Sequence, residues 1–248
     1  MYVRKTVLAG NTIEIKKYHS YFCLEKGAKR NPKKKDTPEK QIKVNLRHAE
    51  ERLRWLMNAN FRRGDSLVTT SFNSENRPQD SAEMQQYVKK FLERLRKEFK
   101  KQGKELKYVY VKERGKRSAL HIHILMSQVD ADTLRKCWTF GMFKLETVVT
   151  DECSGIASYF IKYSAKTEEV EGELVGKRWN PSKNLVKPTI KTERIMASTF
   201  REEPTCKKGY YIHKELTKSG ISEVTGYEYI SYQLVKLERG QPPGRGTG

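Results

Sequence analysis

Apolar residues recur along this chain at two spacings, and the switches between them mark out its elements. Residues 2–8 and 12–18 alternate like strands around Ala9-Gly10-Asn11, a hairpin pattern. A helical spacing follows, opened by the cap-and-proline pair Thr37-Pro38 and running to about Asn60, with Leu46, Ala49, Leu53, Leu56 and Met57 on one face. Ser66 to Phe72 reads as a strand. Asp80 to Lys101 reads as an amphipathic helix, with Asp80 and Glu83 at capping-box spacing. Leu106 to Glu113 is a strand, Arg114 to Ser118 a tight basic turn, and Ala119 to Met126 a second strand. A short helix over Ala131 to Trp138, a strand over Met142 to Val149 and a helix from Asp151 to about Lys166 complete the series. The order β-α-β-β-α-β-α predicts an α+β fold: a ferredoxin-like, four-stranded antiparallel sheet with helices on one face.

Beyond Thr167 the pattern weakens. Gly176 to Pro188 is basic and loop-like, residues 189–200 are compatible with a helix, and 208–236 contain short Tyr-rich strands. The tail QPPGRGTG lacks the apolar content to pack. The expected organisation is a lead segment over 1–65, a core over 66–166, a basic extension over 167–240 and a disordered tail over 241–248.

Charge narrows the partner. Fifty Lys and Arg stand against 30 Asp and Glu, a formal +20. Such a surplus attracts polyanions, because each phosphate contact releases condensed counterions. Nucleic acid is the leading partner. The run Lys33-Lys34-Lys35 reads equally as a DNA-touching arm or a solvated charge run. No stretch has the length of a membrane span or the apolar centre of a signal peptide. The four cysteines, Cys23, Cys137, Cys153 and Cys206, form no C-x-x-C pair, which disfavours a zinc ribbon and suits reduced thiols. A soluble, cytoplasmic protein without a membrane partner is expected.

Candidate chemistry begins with Leu120-His121-Ile122-His123-Ile124. Strand side chains alternate, so the two imidazoles share one face while the aliphatic residues enter the core. Two histidines on one face can bind a divalent metal, and such a pair can equally be structural. Glu113 ends the preceding strand, where a hairpin over 114–118 brings it beside them; an exposed Glu paired with Arg114 or Lys116 is the alternative. Downstream, Tyr159-Phe160-Ile161-Lys162-Tyr163-Ser164-Ala165-Lys166 is a doubled Y-x-x-K, with Tyr159 and Tyr163 on one helical face and Lys162 and Lys166 on an adjoining stripe. A tyrosine near a metal-bound phosphate is a plausible nucleophile, and a lysine can stabilise the charge that develops. The plain reading is an amphipathic helix with Tyr at the edge of the core. Arg114, Lys116 and Arg117 in the basic turn, and Arg178, Trp179 and Lys183 further on, combine charge with one stacking ring, a composition suited to single strands.

The succession of a Thr-bearing strand (Leu67-Val68-Thr69-Thr70-Ser71-Phe72), a Glu strand, a His-Ile-His strand and a Tyr/Lys helix resembles the HUH endonuclease superfamily, in particular the rolling-circle replication initiators of plasmids and small phages. The doubled Y-x-x-K is similar to the two-tyrosine members of that group, and the resemblance covers about residues 66–166. It implies a Mg²⁺- or Mn²⁺-dependent enzyme that nicks single-stranded DNA at a replication origin and forms a 5′-phosphotyrosine. The implied metal ligands are His121, His123 and Glu113. Tyr159 is the implied nucleophile, Tyr163 a second one, and Lys162 an assistant. Lys166 and the basic residues named above would contact DNA. No G-x-x-x-x-G-K-[ST] loop is present, since Arg178 stands where Ser or Thr is needed, so a host helicase would unwind and a host polymerase would extend the free 3′-OH.

Three other readings remain open. A relaxase would place its tyrosine ahead of a three-histidine cluster, whereas here Tyr159 follows the pair and His19, His48 and His213 are scattered. A small HUH transposase keeps this order but lacks so long a lead. A non-enzymatic RNA-binding sheet would need exposed aromatics, for which Tyr108 and Tyr110 are the candidates.

Overall fold

The computed structural model describes residues 1–19, 39–114, 120–171, 177–223 and 225–237. The fold is α+β, with two antiparallel five-stranded sheets and four helices among these residues. The chain divides into two compact units, Met1–Asn45 with Lys187–Gly248, and Leu46–Val186. These divisions differ from the expected boundaries at 65/66 and 166/167, because the two ends of the chain share one sheet.

In the first unit, β1 (Tyr2–Ala9) and β2 (Thr12–Tyr18) form the expected hairpin. Gly10 takes φ 56 in its two-residue turn, a conformation that favours glycine. β8 (Thr189–Ile195) pairs with β1. The helix expected over 189–200 is therefore corrected to a strand. Its Thr-Ile-Lys-Thr-Glu-Arg-Ile sequence is rich in β-branched residues, which suits a pleated edge. β9 (Tyr210–Ile221) and β10 (Glu228–Lys236) form a hairpin, and the strand order is β8-β1-β2-β10-β9. Ile13, Ile230, Tyr232 and Leu234 build a small core on this sheet, with Phe200 and Tyr210 packed against it.

The second unit contains most of α1 (Glu39–Asn58), then β3 (Ser66–Ser71), α2 (Ser81–Lys101), β4 (Tyr108–Arg114), β5 (Leu120–Met126), α3 (Ala131–Cys137), β6 (Phe143–Thr147), α4 (Ser154–Glu171) and β7 (Asn180–Pro181). Every element expected over 66–166 is present, with ends moved by up to five residues. Asp80 caps α2, its carboxylate accepting from the backbone N–H of Ala82 and Glu83 at 2.8 Å each. Glu83 reaches back to the N–H of Gln79 at 2.7 Å, one residue further than a regular capping box.

The sheet order is β6-β3-β5-β4-β7, antiparallel throughout. Two features correct the expected plan. The sheet has five strands, because Asn180 and Pro181 add β7 beside β4. Helices also cover both faces. α2 and α3 bury Val68, Tyr108, Tyr110, Ile122, Ile124 and Met126, with Met84, Phe91, Leu95 and Leu134 at the centre of that core. On the other face, Leu53 and Met57 of α1 and Ala157 and Phe160 of α4 pack over Val109, Val111 and Leu125. Two crossover helices cover one face; α1 and α4 lie outside the crossovers and close the second. The apolar run Tyr108-Val109-Tyr110-Val111 carries this signal, being apolar at successive positions rather than alternate ones.

Gly141 leads the chain into β6. A Cβ there would lie 2.7 Å from the Asn73 N and 2.8 Å from the Phe72 carbon, and closer still to the Ser71 carbonyl oxygen. Only glycine allows the two backbones to approach this far.

Candidate active site

The side chains of interest lie on the face of the second sheet that α1 and α4 cover. His123 stands at the centre of β5, opposite Thr69 on β3 and Val111 on β4. His121 stands opposite Ser71 and Glu113. Period-two alternation therefore gives Thr69, Ser71, Glu113, His121 and His123 a common face.

Glu113 and His123 are buried, at 5% and 3% exposure, and their Oε2 and Nε2 atoms are 2.9 Å apart. Tyr159 and Tyr163 project from successive turns of α4. The Tyr159 hydroxyl is 3.3 Å from His123 Nδ1, and its ring meets the imidazole edge-on with centroids 5.2 Å apart. The Tyr163 ring stacks on the same imidazole at 4.4 Å and 24°. The two tyrosine rings meet at 4.4 Å in a T-shape. His123 is thus contacted from β3, β4 and α4 at once.

Burial pushes the Tyr159 phenol well above its usual range. A hydrogen bond with Tyr163 and the charge of that residue add to the shift, a hydrogen bond with Thr69 opposes it, and the Glu113 carboxylate reinforces it. In this state Tyr159 is a neutral phenol. Positive charge brought to the site, as a cation or an arginine or lysine, is what would favour the phenolate.

The first turn of α4 is tied down from outside the helix. The Cys153 carbonyl accepts from the Ala157 N–H at 2.9 Å, and the Cys153 side chain makes no cap. Instead Asn58, at the end of α1, accepts the Cys153 N–H through Oδ1 at 2.7 Å, and the Glu152 carboxylate accepts the Ser154 N–H at 2.7 Å. These contacts set the position of the helix that carries both tyrosines.

Among the expected site residues, Glu113, His123, Tyr159 and Tyr163 come together. His121 shares their face and is half-buried, and among the described residues no group of three or more His, Cys, Asp or Glu is placed to hold a metal. The Glu113–His123 pair nevertheless suits a small divalent ion. Donors about 2.0–2.1 Å from an octahedral ion and at right angles to each other are ~3 Å apart, close to the separation of these two atoms. A carboxylate oxygen and an imidazole nitrogen also match the preferences of Mn²⁺.

Lys162 is exposed on α4, and Arg114 is half-buried at the end of β4. Lys116, Arg117 and the side chain of Lys166 lie outside the described residues, as do Lys33, Lys34 and Lys35. Arg178 is half-buried and Lys183 exposed. Trp179 packs against the core under α1 and α4, so much of its ring is withheld from a DNA base. Tyr108 and Tyr110, the aromatic platform that an RNA-binding sheet would need, are buried beneath α2. Their hydroxyls bond Arg96 at 2.8 Å and Gln85 at 3.0 Å.

Sequence reasoning passed over two contributors. Thr69 bonds His123 Nδ1 through Oγ1 at 3.1 Å, and Asn58 anchors α4. The Thr-bearing strand was visible, but the register that puts Thr69 rather than Thr70 against His123 was not.

Among the described residues, no helix is long and apolar enough to cross a membrane. No curated protein and no solved structure matches the chain. Residues 65–168, which include the Thr69 strand, Glu113, both histidines and both tyrosines, match the model of a family described as the ORF2-type replication-associated protein. That match supports the resemblance carried by the motifs: the chain is a replication-associated protein of the rolling-circle initiator kind.

Proposed function

We propose that this protein starts rolling-circle replication by nicking single-stranded origin DNA with Tyr159. The observation that carries the proposal is the convergence on His123 of the Glu113 carboxylate at one ring nitrogen and the Tyr159 hydroxyl at the other. The strand order β6-β3-β5-β4, built from β-α-β-β-α-β connections, supports a ferredoxin-like HUH core to which β7, α1 and α4 are added.

In this reading Glu113 and His123 hold Mg²⁺ or Mn²⁺, with His121 as third donor from the same face. The ion supplies positive charge that polarises the scissile phosphate. The phenol oxygen of Tyr159 attacks phosphorus and the bond to the 3′ oxygen breaks. The phenolic proton is lost, and the departing oxygen takes one to become a free 3′-OH, leaving a 5′-phosphotyrosine. Burial of Tyr159 excludes water from the linkage and delays its hydrolysis. Tyr163, one turn on and in ring contact with Tyr159, is placed for a second transfer that rejoins the strand. Exposed Lys162 and Lys183, together with Arg114 and Arg178, would meet the DNA backbone. A host helicase would open the duplex and a host polymerase would extend the 3′ end.

The test is incubation with Mn²⁺ and single-stranded origin DNA, followed by denaturing gel electrophoresis. A covalent protein–DNA adduct is expected from the wild type and none from Tyr159→Phe. Adduct formation by Tyr159→Phe at the wild-type rate overturns the assignment of the nucleophile.

A further inference from the structure

His123 has a partner at each ring nitrogen, and the partners constrain where its proton sits. Nε2 faces Glu113 Oε2 at 2.9 Å; Nδ1 faces Thr69 Oγ1 at 3.1 Å and the Tyr159 hydroxyl at 3.3 Å. A neutral imidazole carries one N–H. With that proton on Nε2 it is donated to Glu113, and no lone pair remains there for a cation. With the proton on Nδ1, the nearest acceptor is Thr69 Oγ1. The Nε2 lone pair and the carboxylate then face the same point, an arrangement that a cation reconciles.

Thr69 is put there by sheet register, directly opposite His123 on the adjacent strand. Its neighbour Thr70 points to the other face and is fully buried. Having accepted from Nδ1, the Thr69 hydroxyl still has a proton to give, and it is also hydrogen-bonded to Tyr159. One hydroxyl therefore links the imidazole to the phenol.

We propose that Thr69 is a positioning residue: by accepting the Nδ1 proton it holds His123 in the tautomer whose Nε2 lone pair, beside Glu113, is open to a divalent cation. This rests on the reading of Glu113 and His123 as metal ligands. A hydrogen-bond partner of a ligating histidine fixes both its tautomer and its ring orientation. A purely steric role for Thr69 would be met equally by valine, which has the same branched shape.

The experiment compares wild type, Thr69→Val and Thr69→Ser by two readouts that need no DNA. One is ¹⁵N NMR of the His123 ring in metal-free protein. The other is Mn²⁺ affinity, from the electron paramagnetic resonance signal of the free ion. The wild type is expected to show the Nδ1–H form. Thr69→Val is expected to move toward Nε2–H and to bind Mn²⁺ about 10–100-fold more weakly, and Thr69→Ser to return within about threefold of wild type. Unchanged tautomer and Mn²⁺ affinity in a folded Thr69→Val overturn the proposal and leave the metal reading standing. A wild type that binds no Mn²⁺ overturns both. If Thr69→Val fails to fold, Thr69→Cys, small and a weak acceptor, takes its place with the same expected losses.

Discussion

The Asn58 contact with α4 gives the sharpest link between stability and function. Its Oδ1 accepts the Cys153 N–H at 2.7 Å, and the two residues are 3% and 0% exposed. Asn58→Ala removes the acceptor from a donor that water cannot reach. Leaving a buried N–H without a partner costs about 1–3 kcal/mol, and loss of a helix N-terminal cap costs a similar ~0.5–2 kcal/mol. We take about 2 kcal/mol as the expectation, which for a chain of this size lowers Tm by roughly 4–8 °C. Glu152→Gln is the contrast: Glu152 is half-exposed and the amide keeps an acceptor oxygen, so the cost stays below ~1 kcal/mol. Function should respond more steeply than stability. Cys153 lies six residues before Tyr159, or ~9 Å along the helix axis, so a loosened first turn displaces the phenol from His123. A misplacement near 1 Å can cost about 10²-fold in rate, and Asn58→Ala is expected to lose about 10–100-fold in adduct formation well below its Tm. Scanning calorimetry and a timed adduct assay at 20–25 °C below Tm measure the two effects. A Tm within 1 °C of wild type would refute the buried-donor argument, and wild-type adduct kinetics would refute the positioning argument.

Four further outcomes are expected. Tyr163→Phe keeps its ring stack on His123 and leaves first-strand nicking within about threefold, but loses strand rejoining; intact rejoining of a nicked oligonucleotide would make Tyr163 structural. Gly141→Ala forces its new Cβ against the Ser71–Asn73 backbone and should cost about 1–3 kcal/mol, read as a lower midpoint in urea unfolding. Burial pushes the Cys153 thiol far above its usual range, so in the native protein Cys153 should resist alkylation at pH 8 while exposed Cys206 reacts; mass spectrometry of the labelled peptides decides it. The double variant Arg178→Ala/Lys183→Ala should keep its Tm and bind single-stranded DNA more weakly, with a shallower salt dependence in fluorescence anisotropy.

What could be read from the sequence was what local periodicity encodes. The strand around His121 and His123, the capped helix from Asp80 and the tyrosine pair of α4 each announce themselves within a dozen residues. The first unit's sheet does not. β1 pairs with β8 across about 190 residues of chain, and nothing local to Thr189–Ile195 distinguishes an edge strand from a short helix. The fifth strand of the second sheet is a two-residue pairing at Asn180–Pro181, below the length at which any pattern appears. Trp179 reads as a stacking ring because it is flanked by charge, yet position, not composition, turns it toward the core.

The site shows the same division more sharply, because its geometry is a matter of register. His121, His123 and Glu113 could be grouped from alternation and one hairpin. The partnership of Thr69 with His123 depends on how β3 slides against β5, and a slip of one residue would bring Thr70 opposite His123 and turn Thr69 to the other face. That register is held by burial on both faces: Val68, Ile122 and Ile124 are fully buried under α2 and α3, while Leu125 is fully buried under α1 and α4. A slip would drive Thr and His side chains into one core and leave aliphatic ones at the site. The apolar residues between the chemical ones are therefore what aim them, and the stability of the sheet and the alignment of Thr69, His123 and Tyr159 are consequences of one packing arrangement.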